Sequence, residues 1–157
     1  MIENKKRKLT IWLILLVINL VIIWGNSLLP GHISGAISNG LKDFIVKLFA
    51  IKPGEGPGGG GLIRKAAHFT EFTCLGVCLS QLFRMGGKKK IAALGFPLLW
   101  GSAAAAIDET IQRFVPDRGP NIYDVALDTA GVITGIVIVT LIYYFRSKKQ
   151  TVLEEEK

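Results

Sequence analysis

Apolar residues run along this chain in long blocks rather than in the narrow stripe of a soluble surface helix. Residues 9–29, 66–83, 91–112 and 122–145 are each mostly apolar, and about 20 such residues cross a bilayer as a helix. The pattern predicts an all-α fold, an integral membrane four-helix bundle, forming one domain over residues 1–150 with a charged, frayed tail at 147–157. Pro30-Gly31 stops the first block. Beyond it Ile33, Ile37, Leu41, Phe44 and Leu48 recur at helical spacing, with Ser38, Lys42 and Asp43 on other faces. The first loop, 30–63, is therefore expected to hold a short amphipathic helix that lies on the outer membrane surface or caps the bundle. PGEGPGGGG (53–61) reads as a linker without structure of its own, RMGGKKK (84–90) as a tight turn and RFVPDRGPN (113–121) as a short loop.

Composition sharpens the class. The chain has 157 residues, half of them hydrophobic, and a mean hydropathy of +0.41, values of a membrane protein. Its net charge of +7 would point to nucleic acid in a soluble protein. Here the cations gather at block ends: Lys5, Lys6, Arg7 and Lys8, then Arg84, Lys88, Lys89 and Lys90, then Arg146, Lys148 and Lys149. Lys and Arg near membrane helices mark cytoplasmic flanks. With four spans all three groups fall on one side, which places both termini in the cytoplasm and leaves no expectation of a nucleic-acid partner. Lys42, Lys47, Lys52, Arg64 and Lys65 fall on the opposite side.

The run KKRK resembles the start of a signal peptide, but the apolar core is too long and no A-x-A site follows, so it reads as an uncleaved anchor. Trp12 and Trp24, and Tyr143 and Tyr144, stand near block ends, where amphipathic rings meet headgroups. Cys74 and Cys78 read as small packing residues rather than a disulfide or metal pair.

The candidate chemistry lies where polar residues interrupt these blocks. RKAAHFTEF (64–72), IDETIQ (107–112) and NIYDVALD (121–128) all fall at the outer ends of their spans. Three separate segments thus deliver carboxylates, an imidazole and an amide to one depth. Faces agree too: Arg64, His68, Glu71 and Cys78 share a side of the second helix. Asp108 and Gln112 share one with Ala105 and Gly101, and Asp124 and Asp128 one with Gly131 and Gly135. Small residues allow close helix approach. Ionisable groups at membrane depth cost several kcal/mol unless paired or hydrated and usually face a cavity. The expected arrangement is a bundle packed tightly inside and opened outward by a polar pocket.

Blander roles compete for several of these residues. Arg64 and Lys65 fit headgroup anchors. Asp124, three residues after Asn121, fits a capping-box partner. One of Asp108 and Glu109 fits a partner for Arg113 or Arg118. Asn19 and Asn26 fit interhelical hydrogen bonds, and Asn26-Ser27 also lies at the depth of the pocket. Ser27 and Thr70 are available as nucleophiles, but nothing in the sequence marks either. No metal is expected, because His32 is the only other histidine besides His68 and no HExxH pattern exists. No cofactor is expected either: PGGGG lacks a following GK[ST].

RKAAHFTEF followed by IDETIQRFVPDRGPNIYDVALDTAG resembles the VanZ-like family, named for a protein linked to teicoplanin resistance. The resemblance rests on Lys65, His68 and Glu71 (K-x-x-H-x-x-E before an aromatic), then Asp108, Glu109, Gln112, Phe114-Val115-Pro116, Arg118, Asp124, Asp128 and Gly131. Asn26-Ser27 matches a polar step of the family more loosely. The resemblance implies a small integral membrane protein, and for the named member lowered susceptibility to glycopeptide antibiotics. No settled reaction comes with it.

Three readings of the pocket stay open at this point. In the first, Arg64, Lys65 and Arg118, with Gln112, Asp124 and Asn26, bind a lipid headgroup or cell-wall precursor, and Glu71, His68 and Asp108 handle protons. Arg suits that task because its planar fork engages such anions bidentately. In the second, His68 is a general base oriented by Glu71 or Asp128, with Asp108 and Glu109 in the same acid–base group. In the third, the charges form an Arg–carboxylate lock between helices.

Overall fold

A computed structural model describes residues 2–48, 59–86, 90–119 and 121–155. Among these the chain forms five helices and no strand: α1 (Ile2–Ser27), α2 (Gly31–Leu48), α3 (Gly59–Met85), α4 (Lys90–Gln112) and α5 (Ile122–Glu155). Each expected block lies in a helix, and the expected amphipathic segment is α2. The helices run past the blocks. α1 includes the basic run, since Lys and Arg are good helix formers. α5 continues to Glu155, so the tail expected to fray is helical. α3 begins at Gly59, so Gly59 to Gly61 open a helix, and of the expected 84–90 turn Arg84 and Met85 end α3 while Lys90 opens α4; the rest of the expected linker and residues 87–89 lie outside the described residues.

Two helical stretches, Glu3–Ser27 and Ile122–Lys149, are long and apolar enough to cross a membrane. Their apolar side chains point outward. Val21 is 65% exposed, and Leu13, Ile14, Val17, Ile18, Ile138 and Leu141 are exposed as well. Outward-facing apolar surface on this scale is stable against hydrocarbon, not water. α4 also turns Leu98, Leu99 and Trp100 outward. α3 differs because it touches each of the other four helices. A helix enclosed by protein has no need of a continuous apolar coat, so α3 can carry Arg64, His68, Glu71, Ser80 and Arg84 along its length.

Ile23, Phe72, Leu75, Leu79, Ala104, Ala105, Val132 and Ile136 form the buried core. The tightest seam joins α3 to α5. A Cβ on Gly131 would stand 2.6 Å from the Phe69 carbonyl oxygen, and one on Gly135 would meet that of Thr73. Gly76, on α3, meets the Val132 backbone in the same way. Hydroxyls inside the helices bond back one turn, as from Thr73 to Phe69 O (2.7 Å) and Thr140 to Ile136 O (2.8 Å), so they need no outside partner.

Pro30 and Gly31 turn the chain into α2, and here a side chain has no room: Gly31 packs against the Asp117 backbone and donates to Pro116 O at 3.0 Å. Asp117 holds a positive φ of 59°, and its Oδ2 accepts from His32 Nδ1 at 3.1 Å. The loop after α4 is thereby fastened to the start of α2. α2 itself exposes Ile33, Ile37, Leu41 and Phe44 and buries Ser38, the reverse of a soluble amphipathic helix.

Candidate functional site

The end of α1, the first turns of α3 and α5 and the end of α4 meet at one end of the bundle, and the expected polar residues meet with them. Asp108 is the centre. It is fully buried, and both of its oxygens are held: Ser27 Oγ donates to Oδ1 at 2.6 Å and Gln112 Nε2 to Oδ2 at 2.9 Å. Gln112 also reaches Ser27 Oγ at 3.2 Å. A buried carboxylate keeps its place at tolerable cost only when donors surround it in this way. Ser27 is fully buried. In the sequence it stood out only as an available nucleophile within a polar step at a helix end.

His68 lies beside this group, with Nδ1 3.7 Å from Asp108 Oδ2 and 4.0 Å from Asp128 Oδ2. Asp128 is 2% exposed, and its Oδ1, sealed from solvent, has no hydrogen-bond partner among the described residues. One donor-capable atom from each of His68, Asp108 and Asp128 falls within 4.8 Å of the others. Three helices thus converge on a space narrower than two water molecules.

Glu71, expected beside His68, turns to α1 instead. Asn26 Nδ2 donates to its Oε1 at 2.6 Å, and Asn19 Nδ2 to its backbone oxygen at 3.3 Å. Both asparagines are therefore interhelical ties, as expected. Glu71 Oε2 is buried without a partner among the described residues.

The pairings expected of the remaining charges change. Glu109 does not pair with Arg113 or Arg118 among the described residues; its Oε1 accepts the backbone N–H of Asn121 just before α5. Adjacent helix positions point about 100° apart, so Asp108 and Glu109 serve different neighbours. Since Asn121 N is occupied, Asp124 has no capping box to complete. It stands 3.4 Å from Lys65 Nζ, while the Asn121 side chain caps α5 by accepting from Tyr123 N at 3.1 Å. Arg118, expected to meet an anion, binds the end of α1. It donates to Asn26 O at 2.8 Å, Leu29 O at 3.2 Å and Gln112 Oε1 at 3.3 Å. Cations suit the exposed carbonyls of a helix C-terminus. An Arg–carboxylate lock is thus absent among the described residues; the tie runs Arg118–Gln112–Asp108–Ser27.

Arg64 makes no hydrogen bond or ion pair among the described residues, yet it lines two cavities. One, of about 100 Å³, lies between α1, α2 and α3 and is bounded by Asn26, Ser34, Ser38, His68 and Glu71. The other, of about 10 Å³, is bounded by Lys65, His68, Gln112, Asp124 and Asp128. His68 and Arg64 are common to both.

A third, larger hollow of about 590 Å³ runs along the outside of α1, α3 and α4. Its wall is apolar, with Leu16, Leu20, Trp24, Leu79, Trp100 and Ile107. It carries no chemistry, but Ile107 and Trp24 bring its upper end to within a turn of Asp108 and Ser27.

At the far end of α3, Arg84 donates to Thr140 Oγ1 at 2.7 Å and lies over the Tyr143 ring at 5.1 Å. It joins α3 to α5, beyond its expected place as a charged flank. Of the cysteines, Cys78 is buried and Cys74 exposed, both free, so only Cys78 is a packing residue.

The VanZ/LLP1 family pattern matches residues 8–143 of this chain. A search of curated proteins and a search of solved structures each gave no match. The match spans most of the chain, and the protein belongs to the VanZ/LLP1 family.

Proposed function

We propose that this VanZ/LLP1 family member is a multi-pass membrane protein whose α1, α3, α4 and α5 all span the bilayer, with both termini cytoplasmic. Its polar end faces outward and binds or modifies the anionic headgroup of a lipid-linked component of the cell envelope. The observation that carries this reading is Arg64, a guanidinium with no partner among the described residues, on the wall of two cavities that share His68. A cation left without a structural task at membrane depth is costly, and a phosphate or carboxylate relieves that cost bidentately. The apolar hollow beside α1 and α4 supports a lipid-linked ligand over a free one, because an acyl or polyprenyl chain laid there ends near the polar cluster. An effect on glycopeptide susceptibility follows the family's named member and enters as a phenotype to measure.

The position of His68 between two carboxylates favours a second reading, acid–base catalysis on the bound headgroup. The bonds that Asp108 makes to α1 favour a third, a structural tie. Arg64 separates ligand binding from the tie, since it holds nothing in place. Arg64→Gln should leave abundance and melting unchanged and remove both co-purifying anionic lipid, read by native mass spectrometry, and any envelope or glycopeptide phenotype. Retention of the same lipid at wild-type occupancy would sink the reading.

A further inference from the structure

We propose that His68, Asp108 and Asp128 bind one divalent transition-metal ion, Mn²⁺ or Zn²⁺. The site goes beyond the headgroup reading and stands without it. Its ligand atoms are His68 Nδ1 and one carboxylate oxygen from each aspartate, all within 4.8 Å of one another. An ion with bonds of about 2.0–2.2 Å spaces tetrahedral ligands roughly 3.3–3.6 Å apart. The edges from His68 Nδ1 measure 3.7 and 4.0 Å and the edge between the two aspartates lies within 4.8 Å, so the carboxylates draw in by up to about 1.5 Å to complete the shell.

Two independent features point to a ligand here. Asp128 is 2% exposed and its Oδ1 lacks any partner among the described residues, although buried carboxylates are ordinarily satisfied. Next to it lies the 10 Å³ cavity bounded by His68, Gln112 and Asp128, room for a single water-sized body. Charge agrees. Two buried carboxylates this close repel each other; Arg118 is spent on the α1 carbonyls and Gln112, Lys65 on Asp124, and Arg64, though it lines the same cavity, pairs with neither aspartate among the described residues. A doubly charged cation neutralises both at once.

The outer contacts also have the form of a metal site. Ligating carboxylates are usually themselves hydrogen-bonded, which fixes their orientation. Asp108 is fixed by Ser27 and Gln112, and Gln112 in turn by Arg118. A mixed imidazole–carboxylate set suits Zn²⁺ or Mn²⁺ better than Mg²⁺ or Ca²⁺, which prefer oxygen alone. Three protein ligands leave a position open, on the side where Arg64 and Lys65 line the cavity. The histidine count argued against a metal in the sequence because it asked for a second imidazole; two carboxylates from separate helices take its place.

The test uses the full chain in detergent, stripped with chelator and titrated with Mn²⁺ or Zn²⁺ alone, with no lipid added. Wild type should bind one ion per chain and melt at a higher temperature once loaded. Asp128→Asn and His68→Gln should each lose the ion and the thermal gain, whereas Thr110→Val, at an exposed α4 hydroxyl that bonds back to Ala106 O, should keep both. Because Asp128→Asn removes a charge that lacks a partner, this variant should melt no lower than stripped wild type, which shows that it folds. In Mn²⁺-loaded wild type, pulsed electron paramagnetic resonance should detect coupling to an imidazole nitrogen. No binding by wild type, equal binding by the Asp128 and His68 variants, or bound Mn²⁺ without nitrogen coupling would each overturn the site.

Discussion

Ser27 Oγ, in the last turn of α1, lies 2.6 Å from Asp108 Oδ1 on α4. This bond joins α1, which buries only Ile23 and Ser27 among its described residues, to the acid at the centre of the polar cluster. Ser27→Ala leaves a buried carboxylate oxygen short of a donor, at about 1–3 kcal/mol. The variant should melt measurably lower in detergent than wild type. An unchanged melting curve would show that Asp108 finds another donor and that the contact is not what seats α1.

The α3–α5 seam predicts a response to added volume. Gly135→Ala brings a methyl group against the Thr73 carbonyl, and Gly131→Leu fills the space beside Phe69 and Phe72. Overpacking of this kind costs about 1–3 kcal/mol or more. Both variants should lose stability, while Gly25→Ala, with open space around it, should not. Equal melting of all three would mean that the two helices can separate without loss.

Charge removal should separate two acids that look alike in the sequence. Glu71→Gln preserves the oxygen that accepts from Asn26, so abundance and melting should stay near wild type while a functional loss appears in envelope phenotype. Asp108→Asn sets an amide nitrogen against either Ser27 or Gln112, each already a donor, and should reduce stability as well as function. If Glu71→Gln lost protein in step with phenotype, its role would be structural.

Orientation is open to direct labelling. In a background carrying Cys74→Ser and Cys78→Ala, Gly61→Cys and Gly86→Cys occupy exposed positions at opposite ends of α3. An impermeant thiol reagent applied to intact cells should label the first and spare the second. Labelling at Gly86→Cys would invert the proposed topology and move the polar cluster to the cytoplasmic side.

What the sequence determined by itself is periodic or cumulative. The apolar blocks became helices, Pro30-Gly31 became a turn, and the shared depth of RKAAHFTEF, IDETIQ and NIYDVALD brought His68, Asp108, Gln112 and Asp128 together. Helical rise and a 3.6-residue turn fix depth and face from spacing alone. Partner choice was decided only by the tertiary structure. Glu71 went to Asn26 rather than His68, Glu109 to the Asn121 backbone, and Arg118 to the carbonyls of α1. Those outcomes depend on the rotation of each helix about its axis and on a loop whose turn at Asp117 requires a positive φ. Hydrogen bonds form over less than the width of one side chain, whereas hydrophobic pattern specifies a helix face only to within tens of degrees. A residue such as Ser27, which has no charge and no period, therefore acquired its importance only when the helices met.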